Sequence, residues 1–76
     1  MMKVRSVREV FIRAKEPFVH EWNKKGILYA KQELQVVKEV KGGAIQGNNT
    51  WYEDKNGDYY WSGGFQKMRR TRADIL

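Results

Sequence analysis

Cysteine is absent from the 76-residue sequence, and proline and histidine each occur only once. The absence of cysteine excludes a disulfide framework, a thiol nucleophile and a thiolate metal site. A single histidine, His20, cannot build the histidine cluster of a catalytic metal centre. From these absences we expect neither a metal nor another cofactor.

Long hydrophobic runs are also missing. No apolar stretch approaches the roughly 20 residues that a membrane-spanning helix requires, and the start of the chain lacks the apolar region of a secretory signal. We therefore expect a cytoplasmic protein if the chain is complete. If it is an excised domain, we expect it to belong to the cell envelope or the extracellular space.

The net charge of +6 is concentrated at the two ends of the chain. Residues 1–16 carry five basic and two acidic side chains, residues 17–66 carry six of each, and residues 67–76 carry four basic and one acidic. Nucleic acid could contact the terminal arginines if the two ends lie close together. Those candidate polyanion contacts are Arg5, Arg8, Arg13, Arg69, Arg70 and Arg72. The neutral body weakens this interpretation, because a strand-binding barrel normally carries charge along its aromatic groove.

What the sequence does contain is a series of short β-like runs separated by turn signals. Residues 4–14 follow a period of two that is broken at Val7, Arg8 and Phe11, and they predict a first strand, which ends before Pro17. An 11-residue helix is the alternative, but the content of Val and Ile argues against it. Residues 27–30 and 34–40 predict two more strands, and residues 23–26 predict a turn. Runs of this kind, with no clear helix between them, indicate an all-β domain.

We predict a small barrel or sandwich of five to seven short antiparallel strands. A chain of this length forms one domain at most. Residues 1–16 are assigned as a basic first strand or arm, residues 17–68 as the barrel body and residues 69–76 as a basic C-terminal tail.

The strongest local signal is a hairpin around Asn56-Gly57. Both central residues of a two-residue type I′ turn need positive φ, which Asn and Gly adopt at low cost. A turn at these two residues sets Tyr52 opposite Trp61 and divides the flanking side chains between two faces. One face carries Tyr52, Asp54, Tyr59 and Trp61, and the other carries Trp51, Glu53, Tyr60 and Ser62.

Three carboxylates flank the same turn. Glycoside hydrolysis uses two carboxylates on either side of a bond, so Glu53, Asp54 and Asp58 invite that comparison. Carboxylates beside a tight turn usually accept hydrogen bonds from the turn backbone or stay solvated, and Asp54 is placed to bond the turn amides. We therefore expect a protein that is not an enzyme.

Residues 51–64 form the pattern Trp-Tyr-x-Asp-x-x-Gly-x-Tyr-Tyr-Trp-x-Gly-Gly. This pattern, with the strand-like runs from residue 27 onward, resembles bacterial SH3-like domains of the kind appended to peptidases and cell-wall hydrolases. The resemblance covers about half of the chain. It implies a bent barrel that binds without catalysing, often tethering an enzyme to peptidoglycan or covering its active-site entrance.

By analogy with that family, Tyr52 and Trp61 are assigned to the core. Trp51 and Tyr60, with Tyr29 and Glu53, are assigned to a partly exposed aromatic groove. Rings on an open sheet face stack on sugars, prolines or bases, so we expect a peptide, a peptidoglycan fragment or another domain of the parent protein as the partner. The alternatives are a nucleic-acid-binding barrel that uses the terminal arginines and a structural domain that pairs through its edge strands; the oligomeric state stays open.

Overall fold

The computed structural model describes residues 2–68, which form eight strands in two antiparallel sheets. The strands are β1 (Met2–Ser6), β2 (Val10–Ala14), β3 (Lys24–Leu28), β4 (Glu33–Val36), β5 (Lys38–Ile45), β6 (Asn48–Glu53), β7 (Asp58–Trp61) and β8 (Phe65–Lys67). The three-stranded sheet has the order β4-β1-β8, and the five-stranded sheet has the order β3-β2-β7-β6-β5. The all-β prediction is confirmed, but the described strands number eight and pair as two separate sheets instead of one closed barrel.

The chain crosses between the sheets where the apolar pattern of the sequence is interrupted. Residues 7–9 separate β1 from β2, so the single strand predicted over residues 4–14 is two strands that belong to different sheets. The strand predicted over residues 34–40 is likewise divided at Val37, whose backbone N–H donates to the carbonyl of Glu53 at 2.8 Å. Such bends let one segment contribute to both layers.

The core lies between the two sheets. Its buried side chains are Val4, Leu34 and Val36 from the three-stranded sheet and Val10, Tyr52 and Tyr60 from the five-stranded sheet. Phe65 meets the two tyrosine rings edge-on, with centroid distances of 5.7 Å to Tyr52 and 6.1 Å to Tyr60. Edge-to-face contacts of this kind stabilise aromatic cores beyond the burial of area alone.

The hairpin turn has three residues, not the predicted two. The carbonyl of Asp54 accepts from the N–H of Gly57 at 3.0 Å, and the Asp54 N–H donates to the carbonyl of Asp58 at 3.0 Å. Only Gly57 has positive φ in this loop, at 79°. This is a type I turn followed by a left-handed glycine, the usual geometry of three-residue hairpin loops. The Asp54 carboxylate accepts from the backbone N–H groups of Asn56 and Asp58, as predicted.

The extra loop residue shifts the register of the hairpin by one. Trp51 lies opposite Trp61 and Tyr52 lies opposite Tyr60. Because side chains alternate along a strand, this shift exchanges the faces predicted for Tyr60 and Trp61. Tyr60 enters the core with Tyr52, and Trp61 shares the opposite face with Trp51.

The turn predicted at residues 23–26 is also wrong. β3 begins at Lys24 and pairs with β2, while Asn23 ends a single 3-10 turn at Glu21–Asn23. β3 is an edge strand of the five-stranded sheet, and exposed lysines such as Lys24 and Lys25 are well tolerated at an edge. The connection that reverses the chain therefore lies earlier, in residues 15–23.

Candidate binding cleft

The connection at residues 15–23 folds back over the outer face of the five-stranded sheet. The N–H of Gly43 on β5 donates to the carbonyl of Pro17 at 2.9 Å. A Cβ atom on Gly42 would overlap that same carbonyl oxygen, so the close approach requires glycine there. The outer face of this sheet is thus partly covered by the protein itself.

Asn23 holds this connection in place from within. Its Nδ2 donates to the carbonyls of Glu16 at 3.2 Å and Phe18 at 2.8 Å. Its Oδ1 accepts from the backbone N–H of His20 at 3.2 Å and from Nη1 of Arg13 at 3.3 Å. Asn23 is fully buried, so these bonds satisfy a polar side chain that would otherwise be costly to desolvate.

An apolar cleft of about 300 Å³ remains between this connection and the sheet. Its volume lies at the small end of the range typical of ligand sites. The lining combines apolar and aromatic side chains with charges at the margin. It consists of Arg8, Glu9, Val10, Phe11, Arg13, Val19, Ile45, Trp51 and Trp61.

Two tryptophans on neighbouring strands line the cleft with their indole N–H groups already bonded. Nε1 of Trp51 donates to the carbonyl of Gly43 at 2.9 Å, and Nε1 of Trp61 donates to the carbonyl of Asn48 at 3.0 Å. The indole of Trp61 also lies so close to Gly63 that a Cβ there would overlap it. Both rings are therefore fixed in position. Trp51 is buried, so the apolar surface that a ligand would meet comes mainly from the partly exposed ring of Trp61.

Cations surround the phenylalanine at the cleft wall. The Arg13 guanidinium carbon lies 5.1 Å from the Phe11 ring centroid, and Nζ of Lys24 lies 4.7 Å from it. Both distances are within the range of cation–π attraction. A second depression of about 160 Å³ adjoins this wall and is lined in part by Phe11, Arg13 and Val19 as well.

The predicted exposure of Trp51 and Tyr60 is wrong, since they are 1% and 5% exposed. Trp51 forms part of the cleft, but Tyr60 lies in the core, where its hydroxyl donates to Oδ2 of Asp54 at 2.8 Å. Burial raises the pKa of Tyr60, and the bond to Asp54 raises it further. The register shift explains the exchange, because it places Trp61 on the cleft side in place of Tyr60.

The other two predicted groove residues lie apart from the cleft. Tyr29 is exposed in the connection between β3 and β4, where its carbonyl accepts from the Ser6 hydroxyl at 2.6 Å. Glu53 is on the outer face of the five-stranded sheet, but its carboxylate lies 3.6 Å from Nζ of Lys38. Of the four residues predicted for the groove, the structure places only Trp51 in the lining of this cleft.

The predicted polyanion contacts within the described residues converge only in part. Arg8 and Arg13 both line the apolar cleft, Arg8 at its margin and Arg13 buried beneath the 15–23 connection, whereas Arg5 lies on the outer face of the three-stranded sheet. The sheet crossing at residues 7–9 separates Arg5 from the other two. The remaining candidates, Arg69, Arg70 and Arg72, lie outside the described residues.

Sequence reasoning missed several cleft residues, for three different reasons. Phe11 interrupted the period-two pattern of β2 because it points to the outer face, opposite to Val10. Val19 and Ile45 reach the cleft only through the fold-back of the 15–23 connection. Trp61 was assigned to the core, and the spacing Asp-x-x-Gly is the signal that could have indicated the longer loop.

The part of the chain that the structure describes contains no cluster of three histidine, aspartate or glutamate side chains able to hold a metal ion. In residues 2–68 there is also no helix with the length and apolar character to cross a membrane. No family model, curated protein or solved structure matches this chain.

Proposed function

We propose that this chain is a non-catalytic binding module of the SH3-like type, which holds a peptide or a cell-wall glycopeptide in its aromatic cleft. The observation that carries the proposal is the cleft of about 300 Å³ whose two indoles have no free polar atom. Support for the SH3-like type comes from the motif at residues 51–64 and from the all-β architecture with short antiparallel strands. The wall residues Phe11 and Val19 remain exposed, and their burial by a ligand would be favourable.

The shape of the cleft favours a ligand that inserts one apolar group. Fixed aromatic surface suits an apolar side chain or the face of a sugar ring, and neither needs a hydrogen bond from the floor. Arg8 and Glu9 at the margin offer one charge of each sign to the flanking polar groups. This combination is typical of sites with an apolar centre and a few polar groups that fix orientation.

Mapping of chemical shifts tests the proposal. The probes are muramyl dipeptide and a panel of short N-acetylated, C-amidated peptides that differ in one apolar side chain. We expect the indole N–H signals of Trp51 and Trp61 and the amides of Phe11 and Val19 to move together. Shifts confined to the outer face of the three-stranded sheet or to residues 69–76 would overturn the proposal. Affinity that falls steeply with salt would then favour the nucleic-acid alternative.

A matched pair of variants localises the binding. Phe11 and Phe18 are both 42% exposed, but only Phe11 lines the cleft. We expect Phe11→Ser to weaken the best probe of the panel about tenfold, a loss of about 1.4 kcal/mol. Phe18→Ser should leave its affinity unchanged. Equal effects of the two variants would argue against the cleft.

A further inference from the structure

Arg13 is a buried cation with no carboxylate partner among residues 2–68. It is 7% exposed, and its Nη1 donates to two neutral oxygens, the carbonyl of His20 at 2.8 Å and Oδ1 of Asn23 at 3.3 Å. The described carboxylates that form ion pairs do so with Lys3, Lys25, Lys38 and Lys67, and Glu16 contacts the ring of His20. Arg13 is therefore held by neutral groups alone.

Such an arrangement is unusual on energetic grounds. Removing a charge from water is costly unless an opposite charge compensates it, and buried arginines are normally paired for that reason. Burial accordingly lowers the pKa of Arg13, although a guanidinium stays protonated in proteins. The face of the Phe11 ring at 5.1 Å compensates only a small part of the cost.

One edge of the guanidinium remains available to a ligand. Nε and Nη2 of Arg13 make no hydrogen bond to another described residue. No described side-chain nitrogen or oxygen is both fully buried and without a partner, so these two atoms keep contact with solvent. Together they form the edge that matches the two oxygens of a carboxylate.

Arg13 lies between two surface depressions. Arg13, Phe11 and Val19 line both the apolar cleft and the smaller depression of about 160 Å³. A ligand with an apolar group in the cleft would place its neighbouring groups near Arg13. Besides Arg13, the two depressions carry two cations, Arg8 and Lys24, and two carboxylates, Glu9 and Glu21. These four charges balance, so a singly charged group fits this setting better than a doubly charged phosphate.

We infer that the cleft selects ligands in which a carboxylate neighbours an apolar or aromatic side chain, with the carboxylate accepting hydrogen bonds from Nε and Nη2 of Arg13. The inference rests on the proposed function and names the chemistry that the same site recognises. A peptide C-terminus and an acidic side chain both present this group.

Three probes on the unaltered protein separate the outcomes. N-acetyl-phenylalanine carries a terminal carboxylate, N-acetyl-aspartyl-phenylalaninamide carries a side-chain carboxylate, and N-acetyl-phenylalaninamide carries none. We expect at least one acid to bind about tenfold more tightly than the neutral amide while all three shift the indole signals of Trp51 and Trp61. The acid that binds better identifies the source of the carboxylate.

Different results would contradict the carboxylate inference and the proposed binding function. If the acids and the amide bind in the cleft with equal affinity, the carboxylate inference is wrong and the binding module stands. If no probe at millimolar concentration shifts the cleft signals, or if the acids shift only other regions, both proposals fail.

Substitutions of Arg13 test the assignment to this side chain. Arg13→Met should reduce the preference for the acid over the amide to about one, and Arg13→Lys should keep an intermediate preference, since it retains charge but not the fork. Arg5→Met, on the other sheet, is the control and should leave the preference unchanged. If Arg13→Met does not fold, Arg13→Lys decides, because the preference for the acid must fall below that of the unaltered protein once the fork is lost. A preference that survives Arg13→Met, or that Arg13→Lys leaves unchanged, would overturn the inference.

Discussion

The outer faces of the two sheets differ in chemistry although both sheets pack on the same core. The outer face of the three-stranded sheet carries the exposed polar side chains of Lys3, Arg5, Glu33, Gln35 and Gln66. The outer face of the five-stranded sheet carries Phe11, Arg13, Trp51, Tyr59 and Trp61. The first face is solvated, whereas the second supports an additional layer of chain.

This difference explains where the proposed binding site lies in so small a protein. The common core buries the apolar inner faces of both sheets. An aromatic outer face must therefore be buried by other parts of the chain or remain exposed. The connection at residues 15–23 supplies part of that cover, and the part it leaves open is the cleft. The following changes test whether the two faces contribute to stability as unequally as their chemistry suggests.

The largest loss of stability is expected on replacing Trp51, the buried ring of the aromatic outer face. Trp51→Ala should lower the free energy of unfolding by about 3–5 kcal/mol, because it removes a large buried ring and leaves a cavity. Urea unfolding measures the loss. Trp22, which is mostly exposed, provides the matched control, and Trp22→Ala should cost less than about 1 kcal/mol. Equal losses would mean that the additional layer is not a packed structure.

A somewhat smaller loss is expected from Asn23, which anchors the covering connection. Asn23→Ala should cost about 2–3 kcal/mol, because it removes the side-chain partner of the Phe18 carbonyl and of the His20 N–H, and one of the two acceptors of Nη1 of Arg13. The indole fluorescence of the folded variant should also become more accessible to acrylamide. Gln66→Ala, on the polar face, should change stability by less than about 0.5 kcal/mol. An Asn23→Ala variant with unchanged stability and quenching would show that the connection is held by other contacts.

An intermediate effect is expected at Tyr60, in the core that both sheets share. Tyr60→Phe should cost about 1–2 kcal/mol, because Oδ2 of the buried Asp54 loses its donor. Unfolding in urea at neutral pH measures this loss. A neutral or stabilising outcome would contradict the assigned hydrogen bond.

The free energy of unfolding is expected to fall as the pH rises above 10. Burial raises the pKa of Tyr60, and burial together with Glu39 raises that of Tyr52, above the ordinary value of 10.0. The folded state therefore holds these protons more tightly than the unfolded state, so their contribution is fully present below pH 10 and is lost as the pH rises above it. Stability curves at pH 8–11 should fall less steeply for Tyr60→Phe than for the unaltered protein. Parallel curves would exclude Tyr60 as a source of the alkaline loss.

The smallest change in stability is expected from a substitution on the polar outer face. Nζ of Lys3 lies 3.5 Å from Glu33, but both side chains are about half exposed. Lys3→Ala should therefore change the free energy of unfolding by less than about 0.5 kcal/mol. A loss comparable to that of Asn23→Ala would remove the contrast between the two faces.

Local sequence signals predicted the parts of this structure that depend on neighbouring residues. The all-β class, the position of the Gly57 turn and the bonds of Asp54 to turn amides follow from composition and turn chemistry. Leu34, Val36 and Val40 were assigned to one side of a strand; Leu34 and Val36 lie in the core, whereas Val40, beyond the division at Val37, pairs with Trp51 and is not among the core residues.

The features that could not be predicted depend on distant contacts. The fold-back held by Asn23 joins residues from β2 and β5 that are far apart in sequence. The register of the hairpin required a choice between two loops that both suit Asn56-Gly57, and a difference of one residue moved Trp61 to the other face. The cleft depends on both features, so only Trp51 of the predicted groove lies in it.

The central claim is that binding takes place on the aromatic outer face, in the cleft beneath the 15–23 connection. The most direct measurement is fluorine NMR of protein labelled with 5-fluorotryptophan, because the three tryptophans occupy different sites and give one signal each. Signals assigned through single Trp→Phe variants are followed while N-acetyl-phenylalanine or muramyl dipeptide is added. We expect the signals of Trp51 and Trp61 to move with a common saturation curve while that of Trp22 stays constant. Movement of the Trp22 signal alone, or of none of the three, would contradict the claim.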